Sequence, residues 1–429
     1  MPSHLQNMFA NRTVLCDGAM GTTLYARGIF INLCYDELNL SQPQLIRSVH
    51  EEYLQAGAEI IETNTFGANS FRLSRHGLAD QTRAINLAGA KLAHEAALQI
   101  SEKQATRIYV AGSIGPLGTT LEPLGQTSLS DARAAFAEQI LALAEGGVDL
   151  LILETMTALQ EVHQAILAAR AVAPHLPVIV MVTVDDEANC LDGSTPETAA
   201  SLLTEWGADA IGCNCSSGPV TVLAAIERMR AATSLPLAAM PNAGMPRSVE
   251  GRNIYLSSPE YMASYARKFV RAGVQFVGGC CGTTPAHIRA MRSTVRALNA
   301  LASGTTSAAV TVDSAAITPP PLAERSGLGA RIAAKEFVAL VEIVPPRGID
   351  CTKELEAARL LARSGVHAIN VPDSPRASAR LSAMTLCIQI QQQADIETVL
   401  HYTCRDRNVL SIQSDLLGAA SLGLRNILC

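Results

Sequence analysis

Over its first 290 residues the chain repeats one unit: a short apolar run followed by a longer Ala/Leu-rich amphipathic stretch. Such alternation marks β-α units built around a parallel sheet, because parallel neighbours need a crossover between them. Eight runs read as strands: Thr13–Asp17, Glu59–Asn64, Arg107–Ile114, Leu150–Glu154, Val178–Val184, Ala210–Cys215, Leu235–Met240 and Gln275–Cys280. Helices are expected over Pro43–Ala56, Gln81–Glu102, Leu129–Gly146, Ala158–Val172, Thr195–Trp206, Thr221–Ala232 and Pro259–Ala272. Pro43, Pro196 and Pro259 fall near helix starts, where a missing N–H costs little, and Gly57, Gly146, Gly207 and Gly273 fall where helices should stop.

The polarity of the runs narrows the architecture. Nearly every strand ends in something chemically unusual: DGAMGT, ETNTFGANS, GSIGP, ETM, CNCSSGP, PNAG and GGCCGTTP. A closed α/β barrel of the (β/α)8 TIM type gathers functional groups at the C-terminal ends of all its strands, whereas a doubly wound open sheet concentrates them at one switch point. Residues 1–300 are therefore expected to form a (β/α)8 barrel.

Residues 301–331 are small, polar and rich in Pro and Gly, and read as a linker. From 332 to 429 the alternation resumes, with strands expected at Val338–Ile343, Ala368–Val371, Thr398–Tyr402 and Arg425–Leu428, and helices near Lys353–Ser364, Arg376–Gln392 and Asn408–Leu422. Four strands make half a barrel, so this part reads as an incomplete second β/α barrel whose last strand leaves an unpaired edge and whose fold is loose.

Composition excludes several classes. With 48% hydrophobic and 17% charged residues the chain is core-building rather than disordered. A net charge of −6 with no long Lys/Arg run gives no reason to expect nucleic acid or an anionic membrane surface. No uninterrupted apolar stretch approaches the ~20 residues of a spanning helix. The first residues lack the pattern of a secretory signal, so the expected compartment is the cytoplasm, where most of the eleven cysteines should be thiols.

Two cysteine segments stand out, Ile211–Pro219 (IGCNCSSGP) and Val277–Pro285 (VGGCCGTTP), both at strand ends. A barrel would bring them together, letting three thiolates converge and leave a fourth tetrahedral position open, as in catalytic zinc sites. Cys280 and Cys281 can share one metal only if the backbone turns between them, a freedom that Gly278, Gly279 and Gly282 supply. Cys213, two residues before Cys215 and so on the same strand face, could be a fourth ligand, and plain packing of buried thiols is the competing reading.

DGAMGT (Asp17–Thr22), ETNTFGAN (Glu62–Asn69), GCNCSSGP and GGCCGTTP together resemble the homocysteine S-methyltransferase family over about residues 10–300. The resemblance implies a (β/α)8 barrel holding Zn2+ on Cys215, Cys280 and Cys281, with Cys213 left to packing. It also implies that Asp17 and Glu154 accept from the ammonium of L-homocysteine while Gly18, or the Thr22–Thr23 region, offers backbone N–H groups to its carboxylate. Turn-capping by Asp17 and an ion pair at Glu154 are the alternatives. Asn64 and Asn214 are either supports of the site or turn formers, and Glu62 either lines the mouth or is paired inside the barrel.

The tail is similar to methylenetetrahydrofolate reductase in VEIVPPRG (Val341–Gly348), NVPDSPRA (Asn370–Ala377), HYTCRDRN (His401–Asn408) and DLLGAASLGLRNIL (Asp415–Leu428). That resemblance implies an FAD-binding, folate-reducing module in which Glu342 is the catalytic acid and His401 and Thr403 contact the flavin. With half of that barrel outside the sequence, the chain is expected to bind no flavin itself.

The implied reaction is methyl transfer to the thiol of L-homocysteine, giving L-methionine. The donor is expected to be a sulfonium, S-methylmethionine or S-adenosylmethionine. A non-catalytic zinc- or thiol-binding module and a mainly flavin-dependent folate oxidoreductase are the other classes to separate. His50, His76, His94, His163 and His175 lie away from strand ends and read as surface or packing; GSIGPLG (112–118) has no phosphate-loop spacing, and Trp206 reads as core.

Overall fold

The computed structural model describes residues 4–9, 12–30, 32–104, 106–215, 218–245, 247–249, 252–302, 320–373, 379–404, 407 and 409–429. The chain divides into two compact units, Met1–Ala309 and Val310–Cys429.

The first unit is an eight-stranded parallel barrel. Its strands are β1 (Val14–Leu15), β2 (Ile60–Glu62), β3 (Tyr109–Ile114), β4 (Leu150–Met156), β5 (Val178–Val182), β6 (Ala210–Cys215) and β7 (Leu237–Pro241), followed by an antiparallel hairpin, β8 (Arg247–Val249) and β9 (Arg252–Ile254), and the last barrel strand, β10 (Val274–Val277). The order is β1-β10-β7-β6-β5-β4-β3-β2, and a parallel bridge between Cys16 and Ile60 joins the two ends. The hairpin, which the apolar pattern does not announce, lies between β7 and β10.

Two apolar layers follow from the two-residue period of the strands. Ile60, Ala111, Ile152, Ile179, Ala210, Ala238 and Phe276 face the lumen, and their neighbours Ile61, Val110, Leu151, Val180, Ile211 and Val277 face the surrounding helices. The N-terminal helix His4–Phe9 plugs the bottom, with Phe9 edge-on to Tyr109 at 4.7 Å and to Phe276 at 5.4 Å. The helix Pro43–Ala56 forms as its proline start and glycine stop predict: Gly57 takes φ +109° and its N–H closes on Tyr53 and Leu54 carbonyls. His50 in that helix is fully buried, and burial lowers its pKa to about 4. His163 stacks on Trp206 at 4.3 Å.

The second unit holds a four-stranded parallel sheet, β11 (Leu340–Glu342), β12 (Ala368–Val371), β13 (Glu397–His401) and β14 (Asn426–Leu428), in that order. Its core gathers Leu355, Ala358, Ile369, Leu386, Ile390 and Leu400. The stretch expected to be linker, 301–331, is partly helical: Leu322–Arg325 and Gly327–Ala333 are helices, the second capped by Ser326 Oγ on the Gly329 N–H at 2.9 Å. A serine cap ahead of Leu328 and Ile332 is a helix start that the Pro/Gly-rich composition masked. Residues 374–378, 405, 406 and 408, within the reductase-like motifs, lie outside the described residues.

Candidate metal and substrate site

The same strand parity that builds the lumen places its uppermost polar layer. Counting two residues on from Ile60, Ala111, Ile152 and Gly212 gives Glu62, Ser113, Glu154 and Asn214, all directed inward at the C-terminal rim. Glu154 Oε1 accepts from Ser113 Oγ at 2.5 Å, and Oε2 accepts from Asn214 Nδ2 at 3.0 Å. Asp17, just past β1, joins the layer by accepting the Glu62 N–H at 3.0 Å. Burial raises the pKa of all three carboxyls; repulsion from Glu154 adds to it at Glu62 and Asp17, and hydrogen bonds from Glu62 and Ser113 temper it at Glu154. Gly18 has no room for a side chain, since a Cβ there would meet Thr283 Oγ1 at 2.6 Å.

Three sulfurs stand beside this layer. Cys215, Cys280 and Cys281 bring their Sγ atoms within 4.8 Å of one another, although Cys280 follows Cys215 by 65 positions. Cys215 gets there by breaking the parity of its own strand. Regular alternation would send it outward with Cys213, whose thiol is fully buried against Met229 Sδ at 3.8 Å. Instead Cys215 adopts φ +60°, a left-handed conformation costly for a residue with a Cβ, and turns into the cavity. The expectation that Cys213 and Cys215 share a face is thus corrected by one dihedral.

Cys280 and Cys281 sit on the glycine-rich turn after β10. Cys280 N–H donates to the Pro241 carbonyl at 2.8 Å, and the Cys281 carbonyl accepts from Ala243 N–H at 2.9 Å, so the turn is stitched to the end of β7. Gly282 has φ +79°, and a Cβ on it would meet Tyr255 Cβ at 2.2 Å. Tyr255, delivered by the hairpin, hydrogen-bonds Cys281, as do Cys215 and Cys280. These donors, Cys215 first, pull Cys281 well below the usual thiol range, while the same contacts push Cys280 up. The cluster thus favours a thiolate even before a cation is added.

Asn214 bridges the two groups, for its Nδ2 also lies 3.8 Å from Cys280 Sγ. Asn64 has a supporting part, donating to the Tyr35 carbonyl at 2.7 Å and to Asn39 Oδ1 at 3.0 Å. The carboxyls and sulfurs line one cavity of about 490 Å³, together with Asp36, Phe66, Arg72, Arg75 and His76. His76, read as surface or packing, is exposed but borders that cavity.

Residues 14–295 match the family model for homocysteine S-methyltransferase. The chain belongs to the homocysteine S-methyltransferase family. Residues 328–429 match the model for methylenetetrahydrofolate reductase. Methionine synthases of Mycobacterium tuberculosis and Mycobacterium leprae are each 34% identical to 68% and 69% of the chain, which spans about a quarter of their length (25% of each). The metallated form of the homocysteine methyltransferase MmuM from Escherichia coli is 28% identical with a TM-score of 0.59, over 67% of this chain and 99% of that one. Its oxidized form gives 27% and the same TM-score over 68% and 99%.

In the second unit, Glu342 ends β11 and is exposed, and His401 ends β13. The Thr403 N–H and hydroxyl both donate to Asp373 Oδ2 at 3.1 Å. Among the described residues no hydrogen bond joins Glu342 to either. No described helix is long and apolar enough to cross a membrane.

Proposed function

We propose that this homocysteine S-methyltransferase family member transfers a methyl group to the thiol of L-homocysteine, giving L-methionine, with Zn2+ held by Cys215, Cys280 and Cys281. The observation that carries the reading is the meeting of three sulfurs beside a layer of buried carboxyls. The donor set fits zinc: three soft thiolate donors, one already favoured in the ionised form, and metal–sulfur bonds of about 2.3 Å are within reach of sulfurs this close. Zinc in such a site supplies Lewis acidity that keeps an incoming thiol ionised at neutral pH.

The chain's own residues do the rest. Asp17, Glu62 and Glu154 receive the substrate ammonium, which relieves the mutual repulsion that raises their pKa. Gly18 lets the backbone approach the substrate carboxylate. Asn214 holds the carboxyl layer and Cys280 in register, so that amino group and thiol are gripped at a fixed separation. With a sulfonium donor, S-methylmethionine or S-adenosylmethionine, the methyl–sulfur bond of the donor breaks as the new one forms, and its electron pair leaves on a neutral thioether. Orientation of the two sulfurs is the main catalytic contribution and can be worth several kcal/mol.

A panel of donors with zinc-loaded protein and L-homocysteine tests the reading. Methionine should form with a sulfonium donor and not with Cys281→Ser. Zinc binding with no turnover on any donor would support a non-catalytic module instead.

For the second unit we propose a methylenetetrahydrofolate reductase-like module acting on folate, with Glu342 as its acid and His401 and Thr403 at the FAD position. Asp373 takes both Thr403 donors, and the chain is expected to purify colourless. Stoichiometric flavin absorbance would favour the folate oxidoreductase reading.

A further inference from the structure

Besides the carboxyls and sulfurs, the cavity is lined by two arginines. Arg72 and Arg75, three apart on and just after the helix Ser70–Ser74, present both guanidiniums on one side, and His76 follows them. Arg72 is half-buried. Its Nε donates to the Pro116 carbonyl at 2.7 Å and its Cζ lies 5.2 Å from the centre of the Phe66 ring. Its two terminal nitrogens have no hydrogen-bond partner among the described residues. Arg75 spends one terminal nitrogen on the Gly118 carbonyl. Burial weakens the hold of Arg72 on its proton, the nearby carboxyls of Asp36 and Glu161 strengthen it, and Arg75 weakens it again. Asp36 acts electrostatically on Arg72 without an ion-pair contact to either arginine; its Oδ1 accepts the Gly67 N–H at 2.9 Å, and its Oδ2 receives the Cys34 thiol at 3.9 Å.

Two adjacent guanidiniums with free, planar donors in a partly dry cavity suit a carboxylate, which can take both N–H groups of one fork. Homocysteine does not need them in the arrangement proposed above, which gives its ammonium to Asp17, Glu62 and Glu154, its thiol to the sulfur cluster and its carboxylate to the backbone at Gly18. The reaction has a second substrate, and it must reach the sulfur from the same cavity. We propose that the part of the cavity lined by Phe66, Arg72 and Arg75 binds the carboxylate of the methyl donor. The identity of the occupant rests on the methyl-transfer reading; the anion-binding character of that part does not. Asp36 then sits where it offsets positive charge elsewhere on the donor, and Phe66 offers the donor's methyl-bearing centre an aromatic face.

The test is calorimetric titration of the zinc-loaded full chain, which reads binding without turnover. S-Methylmethionine should bind at least 10-fold more tightly than its carboxyl methyl ester, and Arg75→Gln and the double variant Arg72→Gln/Arg75→Gln should lose that preference. Cys281→Ser should keep it, so failure of methyl transfer and failure of this site are read separately. 5-Methyltetrahydrofolate, which also carries carboxylates, is the second probe; its binding in place of the sulfonium, with loss in the same arginine variants, upholds the site and assigns the other source. Equal affinity for acid and ester, no binding of either acid, or binding that survives the arginine variants but is lost in Asp17→Asn, overturns the proposal. If the double variant is poorly folded by circular dichroism, Arg75→Gln alone decides, because that side chain is exposed.

Discussion

Asn214 and Glu154 are joined across the rim of the barrel by a hydrogen bond of 3.0 Å, and the same Asn214 amide nitrogen lies 3.8 Å from Cys280 Sγ. One buried side chain therefore ties the residues proposed to hold the substrate's amino group to those proposed to hold its thiol. Asn214→Ala leaves both sides unsupported. Methionine formation should fall about 10- to 100-fold, the range typical of residues that orient metal ligands, with far-ultraviolet circular dichroism unchanged. Activity within twofold of the wild type would show that Asn214 positions nothing.

The raised carboxyls make substrate binding a proton-linked event. Asp17, Glu62 and Glu154 have pKa values above the usual carboxyl range in the free protein, so they retain protons at higher pH than free carboxyls do; an ammonium placed among them lowers those values, and protons leave. L-Methionine, which has no thiol proton to lose, should bind with net proton release, measured across a range of pH by titration calorimetry in buffers of different ionisation enthalpy. The release should shrink in Glu62→Gln and as pH rises. Proton uptake, or none, would contradict the account of the cluster.

Gly282→Ala should fail on two counts: the left-handed backbone at φ +79° and the 2.2 Å approach to Tyr255. A cost of about 1–3 kcal/mol is expected, seen as a lower thermal midpoint, together with less zinc bound per chain. An unchanged midpoint and full zinc occupancy would mean that the turn carrying Cys280 and Cys281 is more tolerant than its geometry implies.

Much of this site follows from reading strand ends. Ala210–Cys215 is a strand with the expected bounds, and the three cysteines meet. Glu62 and Asn214 were ambiguous only because the parity of each strand was not carried to its last residue; counting in twos from Ile60 and Ala210 directs both into the lumen. The turn of Cys215 was not legible, since a left-handed dihedral at a cysteine has no local signature. Arg72, Arg75 and Asp36 escaped for a different reason: they sit on connections after β1 and β2, and nothing in either segment alone says that the two approach. The helix Gly327–Ala333 was hidden by its glycines, although Ser326 marks its start.

The second unit should be less protected than the barrel. Strand β14 lies at one edge of a four-stranded sheet with two of its three residues, Ile427 and Leu428, exposed, and Leu417 and Leu422 are also open to solvent. Hydrogen exchange followed by mass spectrometry should show faster exchange beyond residue 331 than in β3 to β6. Uniform protection along the chain would contradict this.

The central claim is that Cys215, Cys280 and Cys281 hold one zinc ion and leave a place for the substrate's sulfur, and X-ray absorption at the zinc edge tests it most directly. The protein alone should show three sulfur neighbours at about 2.3 Å and one lighter atom, and saturating L-homocysteine should raise the count to four sulfurs. Fewer than three sulfurs at the start, or no change on adding homocysteine, would contradict it.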